Sequence, residues 1–369
     1  MKSRSYLLFF ITLNAILACA QDKNPLNTNH SHEVIVPDLN IPWGFVFLPD
    51  NSMLITEKAG ELIHFKNGKK ISISGLPKIL VYGQGGLMDI ALHPDYKNNG
   101  WIYFSYASAE GIGNGGHTAI ARGKLNKNQL TDLQVLYKAS PNTEAGQHFG
   151  SRIVLGANNY LYFSIGDRGQ RDINPQDLSR DGGKIYRLHH DGSIPKDNPF
   201  VDISNAKKAT YSYGHRNTQG MTIHPKTFAI WSHEHGPKGG DEINIIKAGE
   251  NYGWPEVTYG KNYSGTEITN QTLLPGITEP IHYWDPSIAP SGMAFITSNV
   301  YPEWTGNLLI GSLKFQYLDN CYLKDNKVIK EERLLDGLGR IRSVVQGPDG
   351  YIYVGIENLG IVKIIQKDK

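Results

Sequence analysis

The chain has 369 residues, 40% of them hydrophobic, enough for one large core or for two domains. Lysine and arginine number 37 against 35 acidic residues, so the net charge is only +2 and gives no basis for broad binding to nucleic acid or to a membrane surface. With 40 glycines and 20 tyrosines, the composition favours strands and turns over helices.

The N-terminus reads as an export signal over residues 1–19: "MKSRS" is basic, and "YLLFFITLNAILA" is apolar but too short and too terminal for a membrane span. Its end has two readings. "ACA" before Gln21 fits a small-x-small cleavage site, whereas "ILAC" resembles a bacterial lipobox that would leave a lipidated Cys19, the reading preferred here. The protein is therefore expected in the periplasm or on the outer surface, touching a membrane only through such an anchor. Residues 20–33, with "QDKNPLNTNHSH", read as a flexible tether. Residues 34–369 read as a single domain whose one cysteine, Cys321, has no disulfide partner and is expected to be a buried or semi-buried thiol.

Along that domain one pattern recurs about six times, an apolar strand, a turn rich in Pro, Asp, Asn and Gly, and a second apolar strand. The copies are "WGFVFLPDNSMLITE", "GGLMDIALHPDYKNNGWIYFSYA", "GSRIVLGANNYLYFSIGD", "QGMTIHPKTFAIWSHE", "SGMAFITSNVYPEWTGNLLIGS" and "IRSVVQGPDGYIYVGIE". Their spacing of roughly 45 to 75 residues lies in the range of propeller blades with variable loops. A lone hairpin cannot bury both faces, and radial packing of blades solves that problem. The fold class expected is all-β, a six-bladed β-propeller of four-stranded antiparallel blades. A β-sandwich would not account for six similar units.

The repeat also orients the polar residues. Gln84, His148, Arg216 with Asn217, and Arg340 with Arg342 precede the first strand of a unit; Asp167, "HEHGP" (233–237) and Lys314 follow the second. Antiparallel strands bring these two positions to the same end of the hairpin. In a propeller they would ring one mouth of the central channel. A single Arg or Lys there would read as a solvated charge, but Arg216, Lys314, Arg340 and Arg342 together suit a multiply charged planar anion, because each guanidinium fork offers parallel donors.

His148, with an intrinsic pKa near neutrality, suits a general base, and Asp167 suits the group that orients it. In "HEHGPKGGDEIN" the paired histidines suggest zinc, yet His233 and His235 stand at i and i+2 and point to opposite faces of an extended strand. The glycine-proline turn offers carbonyls instead, which with carboxylates favour a hard cation such as calcium. His189 and His190 read as surface residues.

These motifs carry a resemblance. In order, "GQGGLMDIALHPDY", "GQHFGSRI", "SIGDRGQ", "YGHRNTQG", "EHGPKGGDEIN", "NYGWP", "GSLK" and "GRIR" are similar to those of the soluble pyrroloquinoline quinone (PQQ)-dependent aldose sugar dehydrogenases, relatives of soluble glucose dehydrogenase, over about Ile35 to Ile365. The resemblance implies a six-bladed propeller holding PQQ and calcium at the top of its channel. It implies that His148 takes the proton of the sugar's anomeric hydroxyl while hydride passes from C1 to PQQ, that Asp167 orients His148, and that Arg216 stabilises charge on the quinone. Gln84, Asn217, Tyr263, Lys314, Arg340 and Arg342 fall at cofactor-contacting positions. The carbonyls of Gly236 and Pro237 fall at ligands of the catalytic calcium, and Glu242 and Tyr252 at a second, structural calcium site.

The chain departs from the glucose dehydrogenases at Gln147, where an acidic residue is expected, at His235, where a glutamine is expected, and in lacking their longer insertions. The cofactor chemistry survives these changes, but a preference for glucose and dimerisation do not follow, so a broad aldose substrate range, an external electron acceptor and a monomer are expected. Two other readings stay open, a calcium-dependent sugar lactonase or esterase and a non-catalytic carbohydrate-binding propeller. Neither accounts for both the basic ring and the His148–Asp167 pair.

Overall fold

The structure is a computed structural model that describes residues 25–156 and 158–367. The expected export signal and Cys19 lie outside the described residues. Six four-stranded antiparallel sheets form the ring of a β-propeller, and the one α-helix among the described residues, Tyr96–Asn99, is a single turn. No helix of the described residues is long and apolar enough to cross a membrane.

Each repeat read from the sequence forms the first two strands of a blade. The inner hairpins are Pro42–Phe47 with Met53–Glu57, Leu87–Leu92 with Trp101–Ser108, Ile153–Leu155 with Tyr160–Ile165, Thr218–Ile223 with Ile230–Glu234, Pro290–Phe295 with Leu308–Ser312, and Ile341–Gln346 with Ile352–Ile356. Their alternating apolar residues pack between blades. Leu54, Ile90 and Phe104 join one such core, and Trp231, Met293 and Ile310 another.

The last blade is closed from the other end of the chain. The strand His30–Pro37 pairs antiparallel with Gly360–Gln366, from His30 opposite Gln366 to Pro37 opposite Gly360, with a β-bulge between Val34 and Val36. This corrects the tether boundary, because residues 30–33 lie in that strand. Its partners are backbone groups of the C-terminal strand, which would otherwise leave an open edge. The closure ties the two ends of the domain together.

The channel is filled near its middle. Arg152 bonds Asp89 at 2.9 Å, donates to the carbonyls of Gln219 and Arg342, and lies 4.4 Å from the centre of the Trp43 ring, so one side chain links five blades. Inner strands kink there. A β-bulge falls at Gly220, where a Cβ would run into the His233 ring. The functional groups therefore gather above this plug, on the loops at one mouth.

Candidate active site

His148 sits on the loop entering the third blade, in the left-handed region at φ 56°. Its surroundings fix that conformation. Gln84 accepts from the His148 amide at 2.8 Å, and the Gln84 amide donates to Gly146 at 2.7 Å. From the other side Arg168, fully buried over the Phe149 ring, donates to the carbonyls of Ala145 and Gln147. Sequence reasoning missed Arg168, which adjoins Asp167 but turns away from the cleft.

His148 Nδ1–H donates to Asp167 Oδ1 at 2.6 Å, the juxtaposition expected from the hairpin. Asp167 Oδ1 also accepts from Gly169 N at 2.7 Å, and Oδ2 accepts from the Trp254 indole at 2.9 Å. Burial alone would raise the Asp167 pKa, but the hydrogen bond from His148 and the charge of Arg216 outweigh it and hold the carboxylate below its ordinary range. Burial, with a contribution from Arg216, lowers the His148 pKa, against the opposing pull of Asp167. His148 is thus neutral at neutral pH, with Nε2 unprotonated because Nδ1 carries the proton.

Arg216 lies beside the pair. Glu234 accepts from its backbone N–H, and its guanidinium donates to the carbonyls of His235 and Gly236 at 3.0 and 3.1 Å. Glu234 is held in turn by His215 at 2.8 Å. The Asp241 carboxylate shapes the following turn, accepting from Gly236 N at 2.7 Å and from Ala289 N at 2.9 Å. Burial raises its pKa to about 6 despite these bonds. His233 and His235 face backbone carbonyls, of Gly292 at 3.3 Å and Pro290 at 2.7 Å, so neither is placed as a zinc ligand.

Gln84, His148, Asp167, Arg216, Pro237 and Tyr263 share one open cleft of ≈ 510 Å³, with Trp254 in its wall and Tyr263 74% exposed on its rim. Asn217 is fully buried behind it. Its Oδ1 accepts from Gly150 N at 3.1 Å, and its Nδ2 has no hydrogen-bond partner.

The other basic residues are placed differently from expectation. Arg340 Nε and Arg342 Nε both donate to the Glu357 carboxylate, at 2.8 and 3.1 Å. Arg342 is buried and also donates to Gln219 at 3.0 Å, while Arg340 is half exposed. The pair is therefore partly neutralised, not an open double fork, because Glu357 ends the same hairpin that Arg342 begins. Lys314 is exposed nearby, its ammonium 4.8 Å from the centre of the Phe315 ring.

Below the cleft is a hollow with ≈ 10 Å³ of free space, about one water-sized sphere, lined by Glu234, Gly236, Glu242 and Tyr252. The Asn244 amide donates to both carboxylates, at 3.3 Å to Glu234 and 3.2 Å to Glu242, while its own Oδ1 has no partner. Burial and the Glu234 charge together push the Glu242 pKa up. Two carboxylates at one small hollow, which Arg216 also lines, suit a hard dication. The Tyr252 phenol is committed to Ile245 O at 2.7 Å and Lys247 N at 2.9 Å, so Tyr252 offers such an ion only its backbone carbonyl. His190 is a further correction. It is buried, sharing a 2.9 Å hydrogen bond with His93 of the neighbouring blade.

Residues 39–363 match the model of the Glucose / Sorbosone dehydrogenase family. The chain belongs to that family. It is 42% identical to aldose sugar dehydrogenase YliI of Escherichia coli over 94% of each chain. The structure of the E. coli soluble aldose sugar dehydrogenase in its apo-form is similar with a TM-score of 0.87 and 40% identity, over 92% of this chain and all of that one. The PQQ-bound form of aldose sugar dehydrogenase from Streptomyces coelicolor aligns with a TM-score of 0.74 and 27% identity, over 93% of this chain and 99% of that one. This family member is thus a sugar-dehydrogenase propeller and an oxidoreductase.

Proposed function

We propose that this enzyme oxidises the anomeric carbon of aldose sugars to lactones with PQQ as the bound oxidant and calcium as an accompanying ion. The observation that carries the reading is the His148–Asp167 pair, hydrogen-bonded at 2.6 Å in the same cleft as Arg216. The PQQ named for the Streptomyces relative and the aldose sugars named for both relatives support it.

Arg216 and Gln84, which line the cleft, suit the oxygens of a carboxylated quinone; Asn217 stands behind them, and Lys314 and Arg340, outside the cleft lining, suit its outer carboxylates. Held there, the cofactor would supply a two-electron acceptor for the hydride lost from sugar C1. His148 Nε2 takes the proton of the anomeric hydroxyl, and the product is the lactone. Asp167 fixes the tautomer that leaves Nε2 free and stabilises the imidazolium that forms. Arg216 presents a preorganised positive charge where negative charge develops, an arrangement that needs no reorganisation during the reaction. The carbonyls of Gly236 and Pro237 would hold a catalytic calcium, and Glu242, with the Tyr252 carbonyl, a structural one. Arg216 already donates to the Gly236 carbonyl, so the ion there would share that oxygen's second lone pair.

The basic and apolar residues 1–19 support export, after which electrons pass to an external acceptor. The test is a dye-linked oxidation assay on apo-protein over an aldose panel, with PQQ and calcium supplied separately and together. Activity is expected only with both. Absence of activity and of any thermal shift with both supplied rejects the quinoprotein reading.

A further inference from the structure

The fifth blade carries a group of metal-ligating side chains that the sugar chemistry does not use. Asp319 and Cys321 are two residues apart on the strand Leu318–Lys324 and so share a face. The adjacent strand Lys327–Leu334 places Glu331 directly opposite Cys321, which brings it to that face too. One ligand atom from each of the three lies within 4.8 Å of the others, the one such group among the described residues. Asp319 and Cys321 are fully buried.

Two of the nearby polar groups have atoms that make no hydrogen bond of sound geometry. Neither carboxylate oxygen of Asp319 has a hydrogen-bond partner, a costly state at zero exposure. His282 Nε2, on the outermost strand of the fourth blade, is also without a hydrogen bond and stands 3.5 Å from Glu331 Oε1. Trp284, from the same strand, fixes Glu331 by donating its indole N–H at 2.6 Å. Arg333, opposite Asp319 in register, pairs instead with Asp336 and lies over the Tyr317 ring.

We propose that Asp319, Cys321, Glu331 and His282 bind a zinc-class divalent cation that pins the outer edge of the fourth blade to the fifth. The donor set decides the metal. A thiolate and an imidazole with two carboxylates suit a borderline-soft tetrahedral ion, whereas calcium and magnesium take oxygen. Metal–donor bonds of about 2.0–2.3 Å require donors roughly 3.5 Å apart, within a small side-chain rotation of the spacing present. His282 and Glu331 are each partly exposed and give the ion a route from solvent. Binding displaces the thiol proton and any carboxyl proton to solvent, so the metal is taken up with proton release.

Cobalt(II) serves as the probe, added to chelator-treated full-length protein in excess calcium so that hard-ion sites stay filled. The site gives a thiolate-to-cobalt charge-transfer band in the near ultraviolet that saturates at one cobalt per chain, and zinc bleaches it. The chain has a second cysteine, Cys19, so the band is expected to persist in Cys19→Ser and to vanish in Cys321→Ser. Zinc is expected to raise the melting temperature of the wild type and to leave that of Asp319→Asn unchanged. Absence of the band from folded wild-type protein overturns the proposal and leaves a proton shared between Asp319 and Glu331. A band that survives Cys321→Ser, or a zinc shift undiminished in Asp319→Asn, overturns it equally. None of these readouts depends on PQQ or on sugar oxidation.

Discussion

Trp254 donates its indole N–H to Asp167 Oδ2 at 2.9 Å, the oxygen that His148 leaves free, although the two residues belong to different blades. Both faces of the orienting carboxylate are therefore occupied by donors, and the ring of Trp254 walls the cleft beside Arg216, 5.4 Å from its guanidinium carbon. Trp254→Phe keeps most of the ring and removes only the donor. A hydrogen bond to a charged group contributes about 1.5–3 kcal/mol, so turnover is expected to fall roughly ten- to a hundredfold. The fall belongs in kcat, with KM for the sugar little changed. Steady-state kinetics of the reconstituted enzyme check this, and an unaltered kcat would show that Asp167 is held well enough by His148 and Gly169 alone.

The pH profile follows from the same geometry. His148 acts in its neutral form, and burial has lowered its pKa below 6.5. Activity is therefore expected to stay level as pH falls through 6.5 and to be lost only as it passes the depressed value. Asp167→Asn removes the charge that favours the imidazolium, so it should move this limb to still lower pH while slowing the reaction. His148→Ala should cost about 10² to 10⁴-fold in single-turnover quinone reduction and abolish the limb. A limb unchanged in the alanine variant would assign it to another group.

The inner hairpins could be read from the sequence because two-residue alternation and turn chemistry are local, and they placed His148 beside Asp167. What closes the fold could not. Residues 30–33 of the strand His30–Pro37 read as polar linker because that strand's partners are the backbone groups of Gly360–Gln366 at the far end of the chain. Trp254 was hidden for a related reason, since it lies on a long excursion of the fourth blade with no periodicity to orient it. His190 reads as exposed until His93 of the next blade is seen against it. Glu357 ended a quoted repeat, yet only the closed channel shows that both arginines converge on it.

Calcium dependence should follow Glu242. Glu234 and Glu242 face one hollow, and an ion between them relieves their repulsion. Chelation is expected to lower the wild-type melting temperature, with calcium at a hundredfold excess over its Kd restoring about 2.7 kcal/mol. Glu242→Gln should lose most of that response. Its chelated form should also be more stable than the chelated wild type, since one of two opposed buried carboxylates is gone. Differential scanning calorimetry with and without calcium measures both, and a full calcium shift in the variant would place the stabilising ion elsewhere.

Arg340 and Arg342 share Glu357 but should fail differently when truncated. Arg340 is half exposed, and it reaches inward to the mostly buried Glu357 carboxylate and to the carbonyl of Leu313 at 3.1 Å, while its own guanidinium keeps access to solvent. Arg340→Ala is expected to cost at most about 1 kcal/mol of stability, the range of exposed ion pairs. If a PQQ carboxylate docks there, the apparent Kd for PQQ should still rise about tenfold, one charge-assisted contact being lost. Arg342 is buried, and its loss leaves Glu357 and Gln219 Oε1 short of a donor inside the channel. Breaking a buried pair from one side typically costs about 3–5 kcal/mol, so Arg342→Ala should lower the melting temperature markedly even without cofactor. Thermal melts of both apo variants, read beside PQQ titrations, separate the two roles. Equal destabilisation by the two substitutions would mean that Glu357 is satisfied by either arginine alone, and an unchanged PQQ titration in Arg340→Ala would remove that residue from the anion site.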